Sequence, residues 1–119
     1  MTRVVALAST LWIAALCVGA QPALAAAPLR FWNLTSVTIT RLVLAPAGSG
    51  IFGADQCAND KDGAVDHDER LRLTAVTPGR YDVQLTTKPG HMCLIRNVEV
   101  TDGRKFAFSL DDGDLTDCR

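Results

Sequence analysis

The chain has 119 residues, of which 48% are apolar, and its 12 basic side chains nearly balance its 13 acidic ones. This length suits one domain with a single core and is too short for two. The balanced charge, with no run of basic residues, argues against a nucleic-acid partner, because binding to phosphates needs many Lys and Arg side chains. The apolar fraction is too high for a disordered chain.

The first 25 residues have the pattern of a cleaved secretory signal peptide. Arg3 supplies a positive charge, residues 4–18 are almost entirely apolar, and Ala23-Leu24-Ala25 fits the small-x-small rule for cleavage. The apolar run is shorter than the roughly 20 residues that a membrane span requires. We therefore expect a single mature domain at residues 26–119, which is periplasmic or secreted and does not span a membrane.

Alternation of apolar and polar residues with a period of two, the pattern of strands half buried on a core, recurs along residues 26–119. Helical periodicity is nearly absent there. In chain order, the segments that we predict to be strands are Leu29–Leu34, Val37–Leu44, Leu71–Ala75, Tyr81–Thr86, Cys93–Val100 and Phe106–Leu110.

Pro-Gly and Asp-Gly dipeptides between these segments favour tight turns. Asp102-Gly103 lies between two alternating segments, which predicts a hairpin over Glu99–Leu110. The alternation changes phase at Arg96-Asn97, which indicates a β-bulge. Six or seven short strands with such turns predict an all-β fold, a small antiparallel β-sandwich.

One long acidic loop, Gly48–Glu69, interrupts the strands, and loops of this length are often functional. Its residues 58–69 resemble a calcium-binding loop of twelve residues, with Gly63 at the sixth position. The first position, which should be Asp, is Ala58, and no helix pattern flanks the loop. Weak binding of a Ca²⁺-type cation is therefore an alternative function, with the ligands Asp60, Asp62, Asp66 and Glu69.

Four cysteines are present, and cleavage of the signal peptide would leave Cys57, Cys93 and Cys118. Three cysteines allow at most one internal disulfide, which an exported protein can form. We expect Cys93–Cys118, since this bond would hold the C-terminal tail, while Cys57–Cys93 is the competing pair. Cys57 would then be a free thiol or an intermolecular link, and the protein a monomer or a Cys57-linked dimer.

A second alternative function is redox chemistry or copper handling. Cys57 is a candidate thiol, and His91, Met92 and Cys93 carry soft or borderline ligand atoms. Consecutive strand residues face opposite sides, however, which disfavours a shared copper ion. The sequence contains no nucleophile-elbow, zinc-protease or phosphate-loop motif, so we expect the protein not to be an enzyme and to have no catalytic residue. We also expect no cofactor, and the alternative to this expectation is a bound Ca²⁺ ion.

Aromatic residues at strand spacing could form a ligand-stacking face, but in so small a domain they more often form the core. Those concerned are Phe31, Trp32, Phe52, Phe106 and Phe108. Asn33-Leu34-Thr35 is a glycosylation sequon, which matters only in a eukaryotic secretory pathway.

Two resemblances agree with this fold. Five segments of the chain resemble the second half of carboxypeptidase-regulatory-like and Cna-B-type modules, which are transthyretin-like β-sandwiches. These segments are Asp60–Gly63, Leu71–Leu73, Thr77–Leu85, Asn97–Val100 and Phe106–Leu110. Most of the mature chain also resembles small uncharacterised exported bacterial proteins. The residues that carry this resemblance are Phe31–Thr35, Pro46–Gly48, Phe52-Gly53, Cys93 and Cys118. Both resemblances imply a β-sandwich, and neither implies a function. The sequence thus predicts an exported, non-enzymatic binding or structural module with an unknown envelope or extracellular partner.

Overall fold

The computed structural model describes residues 28–119, together with Thr2 and Ala14, so the predicted signal peptide lies almost wholly outside the described residues. The described chain is mostly β-strand, which confirms the all-β class. Its helical segments are two short 3₁₀ turns, Gln56–Asn59 and Asp112–Asp114. The six strands are β1 (Arg30–Leu34), β2 (Ile39–Pro46), β3 (Arg70–Arg72), β4 (Gly79–Thr87), β5 (Met92–Val100) and β6 (Phe108–Asp111).

The strands form two three-stranded sheets, with the orders β3-β1-β6 and β2-β4-β5. All pairs in the second sheet are antiparallel. In the first sheet β3 is antiparallel to β1, but β6 runs parallel to β1, with Phe31 beside Phe108. The expectation of a purely antiparallel fold is therefore wrong for this pair.

The predicted hairpin over Glu99–Leu110 is also wrong, because β5 and β6 belong to different sheets. Residues 101–107 carry the chain from one sheet to the other, with a backbone hydrogen bond from Thr101 N to Ala107 O at 3.0 Å. An Asp-Gly turn is a local signal, whereas strand pairing depends on where the apolar faces are buried. Val100 and Phe108 are both buried, and β6 completes the sheet of β1 rather than that of β5.

One hydrophobic cluster contains buried side chains of both sheets. Phe31 and Phe108 stack within it, with their ring centroids 4.9 Å apart. The alternation predicted for β4 is observed, since Val83 and Leu85 are fully buried and Gln84 between them is half-buried. The other members from the strands are Ile39, Leu42, Leu44, Leu71, Cys93, Val100 and Leu110.

The predicted bulge in β5 is confirmed. Tyr81 pairs with Val98 and Val83 pairs with Ile95, so two residues of β5 lie opposite Asp82. Asn97 within the bulge has a φ of 57°, a left-handed conformation that also occurs in one common type of β-bulge.

The long loop between β2 and β3 lacks strands, as predicted, but it is packed against the fold. It covers the edge of β2 that β4 leaves free: Gly53 N donates to Leu44 O at 2.9 Å, and the Asp55 carboxylate accepts Leu42 N at 3.0 Å. Farther along, Val65 forms a β-bridge with Ile39. The loop thus protects an edge strand that would otherwise expose unpaired backbone groups.

Candidate functional site

The outer face of the β3-β1-β6 sheet, on the side opposite the core, carries a cluster of cationic and aromatic side chains. Residues of β1 alternate, so Phe31 and Asn33 are buried while Trp32 points outward. In β3, Leu71 is buried and the two flanking arginines are exposed. The strand register then places Arg30 directly opposite Arg72 and Trp32 directly opposite Arg70. We call this surface the cationic face: Arg30, Trp32, Arg70, Arg72 and Phe106.

Trp32 is held in a fixed position at the centre of the cationic face. The guanidinium carbon of Arg70 lies 4.3 Å from the centroid of the indole ring, and Phe106 packs against the ring at 5.4 Å. The indole N–H donates to the Asp68 carboxylate at 2.9 Å. An arginine stacked on an aromatic ring keeps its in-plane N–H donors available for an anion. Arg70 is therefore pre-positioned to bind a negatively charged group.

The arginines of the cationic face have no acidic partners within the fold. Of the residues described, Arg80 and Glu99 form an ion pair at 3.8 Å, whereas Arg30, Arg70 and Arg72 form none. Like charges directly opposite each other destabilise a sheet. This face thus carries three arginines without an ion pair, and the one carboxylate placed on it, that of Asp68, is hydrogen-bonded to Trp32. The excess of positive charge favours contact with an anion.

The expectation that the aromatic residues form the core is corrected in part. Trp32 and Phe106 lie on the outer surface, and Phe52 is 37% exposed, so only Phe31 and Phe108 of the five aromatic residues are in the core. The alternation Arg70-Leu71-Arg72 was a signal that both arginines share a face. Their position beside Arg30 depends on the pairing of β1 with β3, which the sequence of one chain does not show.

A groove of about 750 Å³ lies at the end of the same sheet, and we call it the end groove. Its apolar wall is formed mainly by Leu29, Leu73, Val76 and Pro78. Arg72, which also belongs to the cationic face, is a lining residue. The end groove is therefore mostly apolar with a few polar groups, as is common for sites that bind small molecules.

The wall of the end groove is held by hydrogen bonds. The buried Gln56 side chain donates to Thr74 O at 3.1 Å and accepts from Thr74 N at 2.9 Å. The Tyr81 hydroxyl donates to Thr77 O at 2.8 Å. Between these anchors Ala75 has a φ of 56°, an uncommon conformation for a residue with a Cβ atom. The groove is thus formed before any ligand binds.

Three of the four carboxylates predicted as cation ligands accept local hydrogen bonds, and Asp62 takes part only through its backbone N–H. Asp60 accepts from Asp62 N at 2.7 Å, Asp66 accepts from the Thr38 hydroxyl at 2.7 Å, and Glu69 accepts from Asp66 N at 3.0 Å. In the part of the chain that the structure describes, no three His, Cys, Asp or Glu side chains are grouped closely enough to hold a metal ion. Cation binding by this loop stays a prediction from sequence.

The predicted Cys93–Cys118 disulfide is present. It joins β5 to the C-terminal tail, which also pairs with β5 through reciprocal backbone hydrogen bonds between Met92 and Arg119, at 3.0 and 2.8 Å. Cys93 therefore has no thiolate to offer to copper in this state of the protein. Of its proposed co-ligands, His91 is exposed and Met92 accepts a hydrogen bond from the Gln84 side chain at 3.4 Å.

Cys57 is a free thiol with no exposed surface. Its Sγ donates to Ile39 O at 3.7 Å. Burial raises the pKa of the Cys57 thiol to about 12, and the carboxylates of Asp55 and Asp60 act in the same direction. A thiol in this environment is a poor nucleophile, and a Cys57-linked dimer would require local opening of the fold.

No family model, curated protein or solved structure matches this chain. Among the described residues, the structure contains no helix with the length and apolar character needed to span a membrane. The candidate sites therefore rest on the geometry of residues 28–119 alone.

Proposed function

We propose that the protein is an exported, non-enzymatic binding module, and that it binds an anionic ligand through the cationic face. We further propose that its two sheets form a small β-sandwich, as in the small exported bacterial proteins that the sequence resembles. The shared core cluster of the two sheets supports the sandwich. The signal-like N-terminus and the disulfide support a periplasmic or secreted location.

The observation that carries this proposal is the position of Arg70 on the indole ring of Trp32, 4.3 Å from its centroid, without an ion-pair partner among residues 28–119. Arg30 and Arg72 add two positive charges on the same face. A ligand with several negative charges would remove the repulsion between them and would gain charge-assisted hydrogen bonds. Such binding needs no catalytic residue.

Fluorescence of Trp32 provides a direct test. The chain has two tryptophans, Trp12 and Trp32, so the exported protein without its signal peptide has Trp32 alone. We expect titration with dextran sulfate or polyglutamate to change the Trp32 emission, and added salt to weaken this binding. Neutral dextran should have no effect.

Matched variants separate the cationic face from general electrostatics. Arg70→Gln should weaken dextran sulfate binding about tenfold or more, the loss expected for a charge-assisted hydrogen bond. Arg41→Gln removes the same charge from an exposed position of β2, in the other sheet, and should leave binding unchanged. Equal losses in both variants, or binding of neutral dextran, would contradict the proposal.

A further inference from the structure

We infer that the end groove is a second binding site, for a short apolar peptide with a free amino end and a free carboxylate end. This site goes beyond the proposed function of the cationic face and shares only Arg72 with it. Its volume of about 750 Å³ lies within the roughly 300–1,000 Å³ that is typical of sites for small organic ligands.

The charges at the end groove define the class of ligand. Arg72 and Asp102 are its two charged lining residues, and both are exposed. They form no ion pair with each other, and neither pairs with another residue of the described chain. A ligand with one negative and one positive end satisfies both: its carboxylate binds the guanidinium of Arg72, and its ammonium group binds the carboxylate of Asp102.

The walls determine what lies between the two charged ends. Leu29, Leu73 and Val76 offer an apolar surface, which favours apolar side chains because their burial removes them from water. Leu73 N donates to Leu29 O at 2.8 Å, and the hydrogen bonds of Gln56 and Tyr81 hold the backbone of Thr74 and Thr77 on either side of Val76, so little ordering is required when a ligand binds. A fatty acid would fill the apolar part but would leave Asp102 without a cationic partner.

Calorimetric titration of the exported protein with trileucine tests the inference. We expect saturable binding at one site. N-acetyltrileucine, which lacks the ammonium group, and trileucine amide, which lacks the carboxylate, should each bind about tenfold more weakly or worse. Absence of heat with trileucine, equal binding of the blocked peptides, or equally tight binding of dodecanoate would overturn the inference.

Two variants assign each end of the peptide to a residue. Arg72→Gln should abolish the difference between trileucine and its amide while retaining the effect of acetylation. Asp102→Asn should do the reverse. A general loss of structure cannot produce this crossed pattern, and unchanged discrimination in both variants would overturn the assignment. The peptide titrations involve no polyanion, so this site and the cationic face can fail independently.

Discussion

The carboxylate of Asp82 accepts the backbone N–H of Asn97 at 3.0 Å, within the bulge of β5 that lies opposite Asp82. Its other oxygen accepts the N–H of Gly48, also at 3.0 Å, so one side chain connects β4, β5 and the turn that follows β2. The two donors, Gly48 first and Asn97 second, stabilise the charged form and lower the pKa of Asp82 below its ordinary value.

The stabilising effect of Asp82 should therefore depend on pH. Since its pKa is lowered in the folded protein, the contribution is fully present above the unfolded pKa of about 4 and is lost as the pH falls through the folded pKa. Asparagine has one carbonyl oxygen for two donors and does not titrate. We expect Asp82→Asn to lower the urea midpoint at pH 7, and its difference from the native protein to shrink below pH 4.

Glu99→Gln is the control for this experiment. Glu99 is exposed and its ion pair with Arg80 is long, so we expect a small effect on the urea midpoint. The role assigned to the Asp82 carboxylate would be contradicted if the urea midpoints of Asp82→Asn and the native protein differed by the same amount at neutral and at acid pH.

The Cys93–Cys118 disulfide should contribute substantially to stability. It closes a loop with a sequence separation of 25, for which the chain-entropy model gives about 3.5 kcal/mol. Cys118 is exposed, so Cys118→Ser removes the bond without leaving a cavity. We expect the urea midpoint of this variant to be lower than that of the native protein and to equal that of the reduced native protein. Reductant should not change the midpoint of the variant. Reductant that leaves the native midpoint unchanged would refute the expectation.

Thiol labelling should show the burial of Cys57. In the oxidised protein that lacks residues 1–25, at pH 8, we expect no adduct with iodoacetamide, because the Cys57 thiol is inaccessible and its pKa is raised to about 12. In guanidinium chloride one adduct should form, and three should form when reductant is also present. Rapid labelling of the native protein, measured by intact mass, would show that Cys57 is accessible.

Local alternation could be predicted from the sequence, and long-range pairing could not. The inward positions of Val83 and Leu85 and the bulge at Asn97 follow from the order of apolar and polar residues. The parallel pairing of β1 with β6 does not, because the Asp102-Gly103 turn signal favours β5 as the neighbour of β6. A turn dipeptide indicates a local change of direction, whereas the partner of a strand is determined by packing across the whole core.

The candidate sites could be predicted less well than the fold. The acidic loop was conspicuous because its carboxylates are close together in sequence. The cationic face is formed by residues of β1 and β3, which are distant in sequence and become neighbours through strand register. The alternation in β3 indicated that Arg70 and Arg72 share a face, but nothing in the sequence placed Arg30 and Trp32 beside them.

Asn33 is a structural residue, and its replacement by an acid should be severe. It has no exposed surface, its amide N–H groups donate to Val37 O and Val65 O at 3.0 Å, and its oxygen accepts from Thr35. The sequon is thus inaccessible in the folded protein. Asn33→Asp would place a carboxylate against two carbonyl oxygens, and we expect a loss of about 3 kcal/mol or more in the free energy of unfolding.

Gln84→Glu is the matched control for Asn33→Asp, since it makes the same change from amide to acid at a half-buried position of β4. We expect its free energy of unfolding to change by about 0.5 kcal/mol or less. The free energies of unfolding are measured by urea denaturation. If Asn33→Asp and Gln84→Glu lowered them by similar amounts, the burial of Asn33 would not explain the effect of the Asn33→Asp substitution.

The parallel pairing of β1 with β6 also affects when the protein can fold. These are the first and last strands of the described residues, and Phe31 reaches its stacking partner Phe108 only when β6 has been synthesised. Contacts between residues so distant in sequence slow folding, because a large loop must close before they form. The β3-β1-β6 sheet therefore cannot be complete before β6 is available, and we expect it to form later than the β2-β4-β5 sheet, whose strands are closer together in sequence.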